Sequence, residues 1–229
     1  MMLGLFLLAD SRLPAGGHGH SGGVEALVDR GLLRTEEDLR LFLAGRLRTG
    51  AAVPAAAAAV SCGLAGDPSA RPDWVRWDAA VSARLPATAT RAASRAQGAA
   101  LLRTAAPAWP SAALEKLRGL PRVHHPLVLG AAAAAAGADP GAAAALAVHH
   151  LIGGACTAAV RLLGLDPLRV AAIAAEVGRA GGPVVDGAVG AAMAALAADD
   201  PDLLPVDGSP LSDVLAQLHH RSEATLFAS

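Results

Sequence analysis

The sequence predicts an all-α protein, a compact single-domain bundle of about ten to twelve mostly short helices. Alanine, the residue with the highest helix propensity, occurs in runs at 55–59, 131–136 and 142–145. The chain holds three tryptophans, three phenylalanines and no tyrosine, so the aromatic residues that favour strands are rare. Its 25 glycines and 15 prolines are spread along the chain and divide it into short segments.

Helix start signals recur in order along the chain. Thr35 followed by Asp38 is typical of a capping box, in which each side chain accepts a backbone N–H of the other residue. Asp139, Asp166 and Ser209 each precede a proline, which places an N-cap residue before proline in the first turn. With glycine and proline as breakers, the predicted helices span 2–9, 21–32, 36–49, 53–64, 72–85, 88–105, 111–118, 122–137, 140–163, 167–180, 183–198 and 210–221.

Two segments interrupt this helical pattern. The apolar run at 1–9 has no basic residue before it and therefore lacks the layout of a secretory signal. It is followed at 10–23 by five glycines, a proline and two histidines, which predict a loop. The polar, proline-broken stretch at 199–210 separates the last helix from the body.

Alanine-faced helices leave apolar surface exposed, which indicates a stable protein partner or a homodimer.

Ser21 admits two interpretations. It follows His20, so it is the one serine beside a candidate base, but no GxSxG elbow surrounds it. The simpler interpretation makes Ser21 the N-cap of the helix that begins at Gly22. Glu25 then lies in the first turns, where a carboxylate interacts favourably with the helix dipole.

The charge balance argues against a nucleic-acid partner. Nineteen Lys and Arg residues against twenty Asp and Glu give a formal net charge of -1, and the pI is 6.7. A nucleic-acid-binding domain normally has a basic excess, because phosphate neutralisation supplies much of its affinity. Lys116 is the only lysine and lies outside any GxxxxGK[ST] motif, so the chain has no P-loop of its own.

The mean hydropathy of +0.42 invites a membrane interpretation. The apolar stretches are alanine-rich, however, and Gly, Pro, His or Asp interrupts them before they reach the ~20 strongly apolar residues that a span needs. We therefore expect no membrane association. Cys62 and Cys156 lie far apart and form no CxxC pair, which indicates two buried thiols in a reduced, cytoplasmic compartment.

The eight histidines occur as His18 with His20, His124 with His125, His149 with His150, and His219 with His220. Adjacent helical residues point about 100° apart, whereas a helical chelate uses positions i and i+4, so three of these pairs are poorly spaced for one ion. His18 and His20 lie in the glycine-rich loop, which could turn both rings to one metal. They are the metal candidates, although two ligands alone make no recognisable site.

Arginines mark the predicted helix 88–105. Arg91 and Arg95 are four residues apart and share one face, which predicts either a solvated basic edge or a docking site for an acidic partner. Gly98 lies inside the same alanine-rich helix, where it costs about 1 kcal/mol relative to alanine, so another backbone is expected to approach closely there. Arg161, near a helix end, could complement the dipole of that helix.

The order of these motifs resembles the UreF family of urease accessory proteins. The segment 10–25, DSRLPAGGHGHSGGVE, matches the family's N-terminal signature, with His18 where an aromatic residue is usual and Val24 where leucine is usual. Thr225 stands where the family has arginine before Leu-Phe. Further matches follow in the family's order: Arg91, Ser94, Arg95, Gln97 and Gly98; His124, Pro126 and Gly130; Arg161 to Leu165; Asp213, His219 and Leu226 to Ser229.

The resemblance implies a non-catalytic scaffold. Relatives dimerise, bind UreD (also called UreH) and recruit the nickel-carrying GTPase UreG to apo-urease. GTP is then bound by UreG, nickel passes through the complex, and the chain holds no stable cofactor. The segments 1–23 and 199–229 of a single domain, 1–229, are expected to become ordered on the partner. The predicted partner-binding residues are His20, Ser21, Glu25, Arg91, Ser94, Gln97, Gly98, His124, Arg161, His219 and Phe227.

Two other classes of function remain as alternatives. An all-helical DNA-binding regulator would need a clustered basic recognition helix. A helical metal-dependent hydrolase would need a spaced set of Asp, Glu and His ligands.

Overall fold

The computed structural model describes residues 3–16 and 20–219. Within these ranges the chain forms twelve α-helices, one 3-10 turn and no β-strand, and each of the twelve predicted helical segments overlaps one helix. The all-α prediction is confirmed. The helices are α1 Leu3–Ala9, α2 Val24–Asp29, α3 Glu36–Gly50, α4 Ala52–Gly66, α5 Trp74–Ala83, α6 Thr88–Ala108, α7 Ala112–Arg118, α8 His125–Ala135, α9 Pro140–Leu163, α10 Pro167–Ala180, α11 Gly182–Ala198 and α12 Pro210–His219, with the 3-10 turn at Pro201–Leu203.

Helix α4 forms the centre of the bundle and packs against α8, α9 and α11. Its alanines at 55–59 are all fully buried. The backbones of α4 and α8 touch at Gly130, where an added Cβ would collide with the carbonyl oxygen of Ala58 and lie 2.8 Å from the Cβ of Ser61. Each small side chain buries little area, but it allows the helix backbones to approach closely, as the alanine runs predict.

Three of the predicted helix caps are confirmed. Thr35 Oγ1 accepts the N–H of Asp38, and the Asp38 carboxylate accepts the N–H of Thr35 at 2.9 Å, which completes the capping box. Asp139 and Asp166 accept N–H groups of the first turns of α9 and α10, at 2.8 and 2.9 Å. Ser209 differs, because its hydroxyl lies 2.8 Å from the hydroxyl of Ser212.

The prediction that Ser21 caps a helix beginning at Gly22 is wrong. Gly22 and Gly23 have φ values of +60° and +95°, a left-handed conformation that an α-helix cannot continue through, so α2 begins at Val24 with Gly23 as its N-cap. Among the described residues the hydroxyl of Ser21, which is 1% exposed, has no hydrogen-bond partner. The serine is therefore held by packing and not by a cap.

Helix α8 is also shorter than predicted. The chain is not helical at 122–124, because Arg122 has a φ of +40° and His124 is extended with a ψ of 140°. This places His124 at the N-cap of α8 and turns its side chain toward α5 and α6.

The segment 199–210 is anchored to the body by Arg84 at the end of α5. Its guanidinium donates hydrogen bonds to the carbonyl oxygens of Pro201, Leu204 and Pro205, at 3.0, 3.0 and 2.7 Å. A further bond to Ala80 at 2.9 Å fixes the arginine on its own helix. Sequence analysis did not single out Arg84, and the predicted ordering of 199–229 on a partner stays a prediction.

Helix α9 is long and apolar enough to cross a membrane by length and composition, because His149, His150 and the two glycines after Ile152 do not interrupt it. Its most apolar window is 56% buried inside the fold, where α9 packs against α4, α8, α10 and α11. The expectation that every apolar stretch is interrupted before such a length is wrong for this helix.

Candidate functional site

The predicted partner-binding residues that the structure describes fall mainly into two buried groups. The first group, the His124 network, joins α5, α6 and the segment before α8. Its members are Asp78, Ser82, Ser94, Arg95 and His124. The second, the Glu25–His219 pair, joins α2 and α12. Both groups contain polar side chains from helices that are distant in sequence.

The His124 network is centred on an imidazole that is 0% exposed. Its Nδ1 lies 3.0 Å from the hydroxyl of Ser94 on α6, and its Nε2 lies 2.8 Å from the hydroxyl of Ser82 on α5. The carboxylate of Asp78 accepts the backbone N–H of His124 at 2.9 Å and the guanidinium of Arg95 at 2.7 Å. Every polar atom of the imidazole is therefore satisfied inside the protein.

This environment keeps His124 neutral. Burial is the largest cause of a lowered pKa, to about 4, and the positive charges of Arg95 and Arg91 lower it further. The carboxylate of Asp78 acts in the opposite direction but does not offset burial. A neutral imidazole carries one N–H and one lone pair, so one serine hydroxyl donates to it and the other accepts from it.

Close backbone packing explains why residue 98 is a glycine. A Cβ at this position would collide with the carbonyl oxygen of Val123 and lie 3.0 Å from the backbone nitrogen of His125. The predicted close approach at Gly98 is confirmed, and it comes from the segment that carries His124.

Arg91 and Arg95, predicted to form either a solvated basic edge or a docking site for an acidic partner, are both half-buried and hydrogen-bonded to other parts of the chain. Arg95 forms an ion pair with Asp78 and also donates to the hydroxyl of Ser82 at 2.9 Å and to the carbonyl of Arg122. Arg91 donates to the carbonyl of Pro86 at 2.8 Å, just before α6. These bonds fix both guanidinium groups at the α5–α6 turn.

The Glu25–His219 pair joins α2, near the start of the described chain, to α12 at its end. Glu25 Oε2 lies 3.3 Å from His219 Nε2, and both side chains are almost completely buried. The neighbouring Gly23 faces Leu215 of α12, whose Cδ1 would be 3.7 Å from an added Cβ. The conformation of the glycine-rich turn thus places Glu25 against α12.

Arg46 supports this turn from α3. Its guanidinium donates to the carbonyl oxygen of Gly22 at 2.8 Å and lies 5.7 Å from the ring centroid of Phe42. Burial lowers the pKa of Arg46 to about 10. A side chain at Gly22 would overlap this guanidinium, so the site requires glycine for both its φ and its space.

Helix α12 connects the two groups, since it packs against both α2 and α6. Thr90 of α6 donates to the carboxylate of Asp213 at 3.0 Å, and Thr88 donates to the side-chain oxygen of Gln217 at 3.2 Å. The His124 network and the Glu25–His219 pair therefore lie on helices that share one packing partner.

The remaining predicted residues lie in different places. Gln97 is half-buried on α6, and Arg161 is exposed in the last turn of α9. His20 precedes the glycine turn and is half-buried. The metal candidate His18 and the predicted partner residue Phe227 lie outside the described residues, as does Thr225.

Within 3–16 and 20–219, no group of three or more His, Cys, Asp or Glu side chains could hold a metal ion. His149 and His150 bind backbone carbonyls of Ala9 and Leu8 at 3.2 and 2.9 Å. Cys62 and Cys156 are both buried and unbridged, as predicted.

Comparison with known proteins decides the family. The sequence model of the UreF family matches residues 33–178, which include the whole His124 network. The chain is 44% identical to a urease accessory protein UreF from Mycobacterium sp. (strain JLS) over 226 residues, 98% of this chain and 97% of the relative. The chain belongs to the UreF family. It is also 42% identical to the UreF of Mycolicibacterium vanbaalenii and 38% identical to that of Mycobacterium tuberculosis (strain ATCC 25177 / H37Ra), with the same shares of each chain covered.

Sequence reasoning missed the α5 half of this UreF protein's polar network. Asp78 and Ser82 are four residues apart and so share one face of α5, which is the only signal that the sequence offers. Arg91, Arg95 and Gly98 of α6 were found through their spacing and position on the helix, and Ser94 and His124 through the family's motifs. The close approach at Gly98 was predicted from its place in the helix, whereas the burial of His124 and its contacts with Ser82 and Ser94 follow from the tertiary structure alone.

Proposed function

We propose that this UreF family protein is a non-catalytic scaffold in urease maturation that binds UreD and recruits or regulates the GTPase UreG. In this role it supports GTP-dependent delivery of nickel to apo-urease in the cytoplasm. The observation that carries the proposal is identity of 38–44% to urease accessory proteins over 98% of the chain. Membership in an accessory family favours this role over the DNA-binding regulator and the hydrolase.

The buried networks have a defined part in this proposal. They hold the α5–α6 turn, the segment before α8 and α12 in one rigid arrangement, because each is tied by hydrogen bonds to another element. A preorganised surface loses less entropy on binding than a mobile one. His124 and Gly98 act through this arrangement. Gln97 is half-buried and Arg161 is exposed, which supports direct contact of both side chains with a partner.

Exposed apolar side chains supply the area that a stable complex needs. On α1 these are Leu3, Phe6 and Leu7, which are 63%, 64% and 47% exposed. On α12, Leu211 and Val214 are 56% and 55% exposed. Apolar residues spaced at i, i+3 and i+4 along a helix form a continuous stripe, which suits burial against UreD or a second copy of the chain.

Nickel and GTP belong to the partners in this scheme. UreG binds the nucleotide and carries nickel, and the present chain contributes contacts that couple GTP turnover to transfer. We infer a homodimer within the complex. Nickel is cargo, and no resident cofactor is assigned to this chain.

Co-purification tests the proposal. The chain is expressed alone and together with UreD and UreG from the same source, and complex mass and nickel-dependent urease activation are measured. We expect a ternary complex that activates urease only when this chain is present. A folded protein that binds neither partner would overturn the proposal.

A matched pair of variants locates the surface. Gln97→Ala removes a half-buried polar group on α6, and Arg103→Ala removes an exposed arginine two turns further along the same helix. We expect Gln97→Ala to weaken capture of UreD or UreG at unchanged thermal stability, and Arg103→Ala to leave it unchanged. If Gln97→Ala captures the partners as well as Arg103→Ala does, the α6 face that carries Gln97 is not part of the binding surface.

A further inference from the structure

Arg46 of α3 is half-buried, but it has no carboxylate partner among the described residues. One terminal nitrogen of its guanidinium donates to the carbonyl oxygen of Gly22 at 2.8 Å, and the guanidinium carbon lies 5.7 Å from the ring centroid of Phe42. A guanidinium carries five N–H groups. Most of the donors of Arg46 therefore have no acceptor within the described chain.

The other half-buried arginines of the described chain are better satisfied. Arg40 and Arg95 each pair with a carboxylate. Arg84 donates to five backbone carbonyl oxygens and Arg91 donates to two. Buried polar groups normally find such partners, so the single hydrogen bond of Arg46 is the exception that needs a reason.

The charge of Arg46 is also uncompensated. Burial is the cause that lowers its pKa, to about 10, and neither a carboxylate nor a second cation of the described chain adds to or offsets this effect. The guanidinium stays protonated at neutral pH, and the ring of Phe42 attracts it only weakly. A partly desolvated cation is costly until an anion faces it, so this position lacks one negative charge.

The unpaired donors fit a carboxylate. The planar guanidinium of an arginine can give two parallel N–H···O bonds to the two oxygens of an aspartate or glutamate. One positive charge also matches one carboxylate, whereas phosphate sites usually combine several backbone N–H groups or cations. The chemistry of Arg46 therefore favours an acidic side chain over a free phosphate.

Exposed apolar side chains begin near this arginine. Thr49 follows Arg46 by one turn of α3, and its hydroxyl lies 3.2 Å from the hydroxyl of Ser209. Leu211 and Val214 come next on α12 and are both exposed. Protein interfaces combine apolar area with a few buried arginine contacts, so this part of the surface has the composition of an interface.

We propose that Arg46 is the binding site for an aspartate or glutamate side chain of a partner protein, whose carboxylate accepts the hydrogen bonds that the chain itself leaves unmade. The carbonyl of Gly22 holds the guanidinium in place before the partner arrives, which reduces the side-chain entropy lost on binding. This inference rests on the proposed scaffold role, because UreD and UreG are the partners with which it is tested.

Binding measurements on the full chain test the site. Affinity for UreD and UreG from the same source is measured at about 0.05 M and about 0.5 M NaCl. Arg46→Gln removes the charge but keeps an N–H donor for Gly22. Arg48→Gln is the matched control, since Arg48 is exposed on the same helix and the change in net charge is the same.

We expect Arg46→Gln to weaken binding about 10- to 100-fold at low salt and Arg48→Gln to leave it almost unchanged. The affinity of Arg46→Gln should also depend less on salt than that of the wild-type chain, an effect that a purely structural arginine would not produce. The free Arg46→Gln chain should be at least as stable as the wild-type chain, because an uncompensated charge is removed.

Three results would overturn the inference while the scaffold role stands. They are equal affinity of Arg46→Gln and the wild-type chain, an equal loss in Arg48→Gln, and a loss in Arg46→Gln with unchanged salt dependence. A wild-type chain that binds neither partner would overturn the scaffold role itself, and this inference with it.

A measurement on the wild-type chain decides if Arg46→Gln does not fold. Phenylglyoxal modifies accessible guanidinium groups, and mass spectrometry reports the extent at each arginine. Protection of Arg46 in the complex, with Arg48 still reactive, supports the inference. Equal reactivity of Arg46 with and without the partners, or no reaction of Arg46 in the free chain, overturns it.

Discussion

Glu25 and His219 meet in the interior with Oε2 and Nε2 3.3 Å apart, although almost the whole described chain separates them in sequence. Both belong to motifs that the chain shares with the UreF family, one near each end. Their contact fixes α12 on α2, and the threonine contacts of α6 fix the same helix from the other side. Helix α2, near the start of the described chain, and α12, at its end, therefore pack together.

Removal of one member of this pair should destabilise the fold. Glu25→Ala leaves the buried His219 without this acceptor, so we expect the free energy of unfolding to fall by about 1–3 kcal/mol. The measurement is urea denaturation at pH 7.5. Glu37→Ala, which removes an exposed pair with Arg40, is the control and is expected to leave the free energy of unfolding almost unchanged. Equal losses in the two variants would contradict the assigned role.

A methyl group at Gly98 should be costly because its neighbour is backbone. The carbonyl of Val123 cannot move without shifting the segment that carries His124, so we expect Gly98→Ala to cost about 1–3 kcal/mol. Gly153→Ala is the matched control, since Gly153 lies inside α9 with open space around its Cβ position. That variant should be neutral or stabilising by up to about 1 kcal/mol, and thermal unfolding distinguishes the two.

The protein should lose stability in mild acid. The pKa of His124 is about 4 when folded and about 6.5 when unfolded, so the unfolded state binds the extra proton first. The contribution of His124 is fully present above pH 6.5, declines as the pH falls to 4, and totals at most on the order of 3 kcal/mol.

His124→Gln tests this pH dependence. The variant is expected to be less stable at pH 7.5, because glutamine does not fit both serines, but its unfolding free energy should fall less steeply between pH 6.5 and 4. Denaturant unfolding at several pH values provides the measurement. Identical slopes for the two proteins would show that His124 is not the titrating group.

Arg84 should control the segment that joins α11 to α12. Arg84→Met keeps much of the apolar stem but removes every bond to the carbonyls of Pro201, Leu204 and Pro205. We expect cleavage by proteinase K within 199–210 to become at least several-fold faster, with the rest of the chain still resistant. Arg76→Met is the control, because Arg76 contacts only the exposed carboxylates of Asp199 and Asp200 there, at 3.4 and 3.9 Å.

Local signals account for the accuracy of the helix predictions. Runs of alanine, aspartate before proline and the Thr35–Asp38 pair act within one or two turns, so their effects can be seen without knowledge of the fold. The predictions failed where backbone conformation was set by contacts across the molecule. Ser21 has the residue type of an N-cap, but Gly22 and Gly23 adopt positive φ values against Arg46 and Leu215, and α2 begins later.

The site shows the same division. Motif order identified His124, Ser94 and Gly98, but no local pattern indicated that they would contact one another or that Asp78 and Ser82 would complete the network. Hydrogen bonds between α5, α6 and the segment before α8 depend on how the helices cross, which side-chain volumes over the whole bundle determine.

The sequence by itself determined the helical class, the position of each helix to within a few residues, and the family, because propensity, capping and motif order are properties of neighbouring residues. Only the tertiary structure decided that His124 is buried and neutral, that Arg84 anchors the last segment and that α9 holds the end of α1. Burial and distance between remote residues set the cost of a charge and the value of a hydrogen bond, and neither exists until the chain is packed.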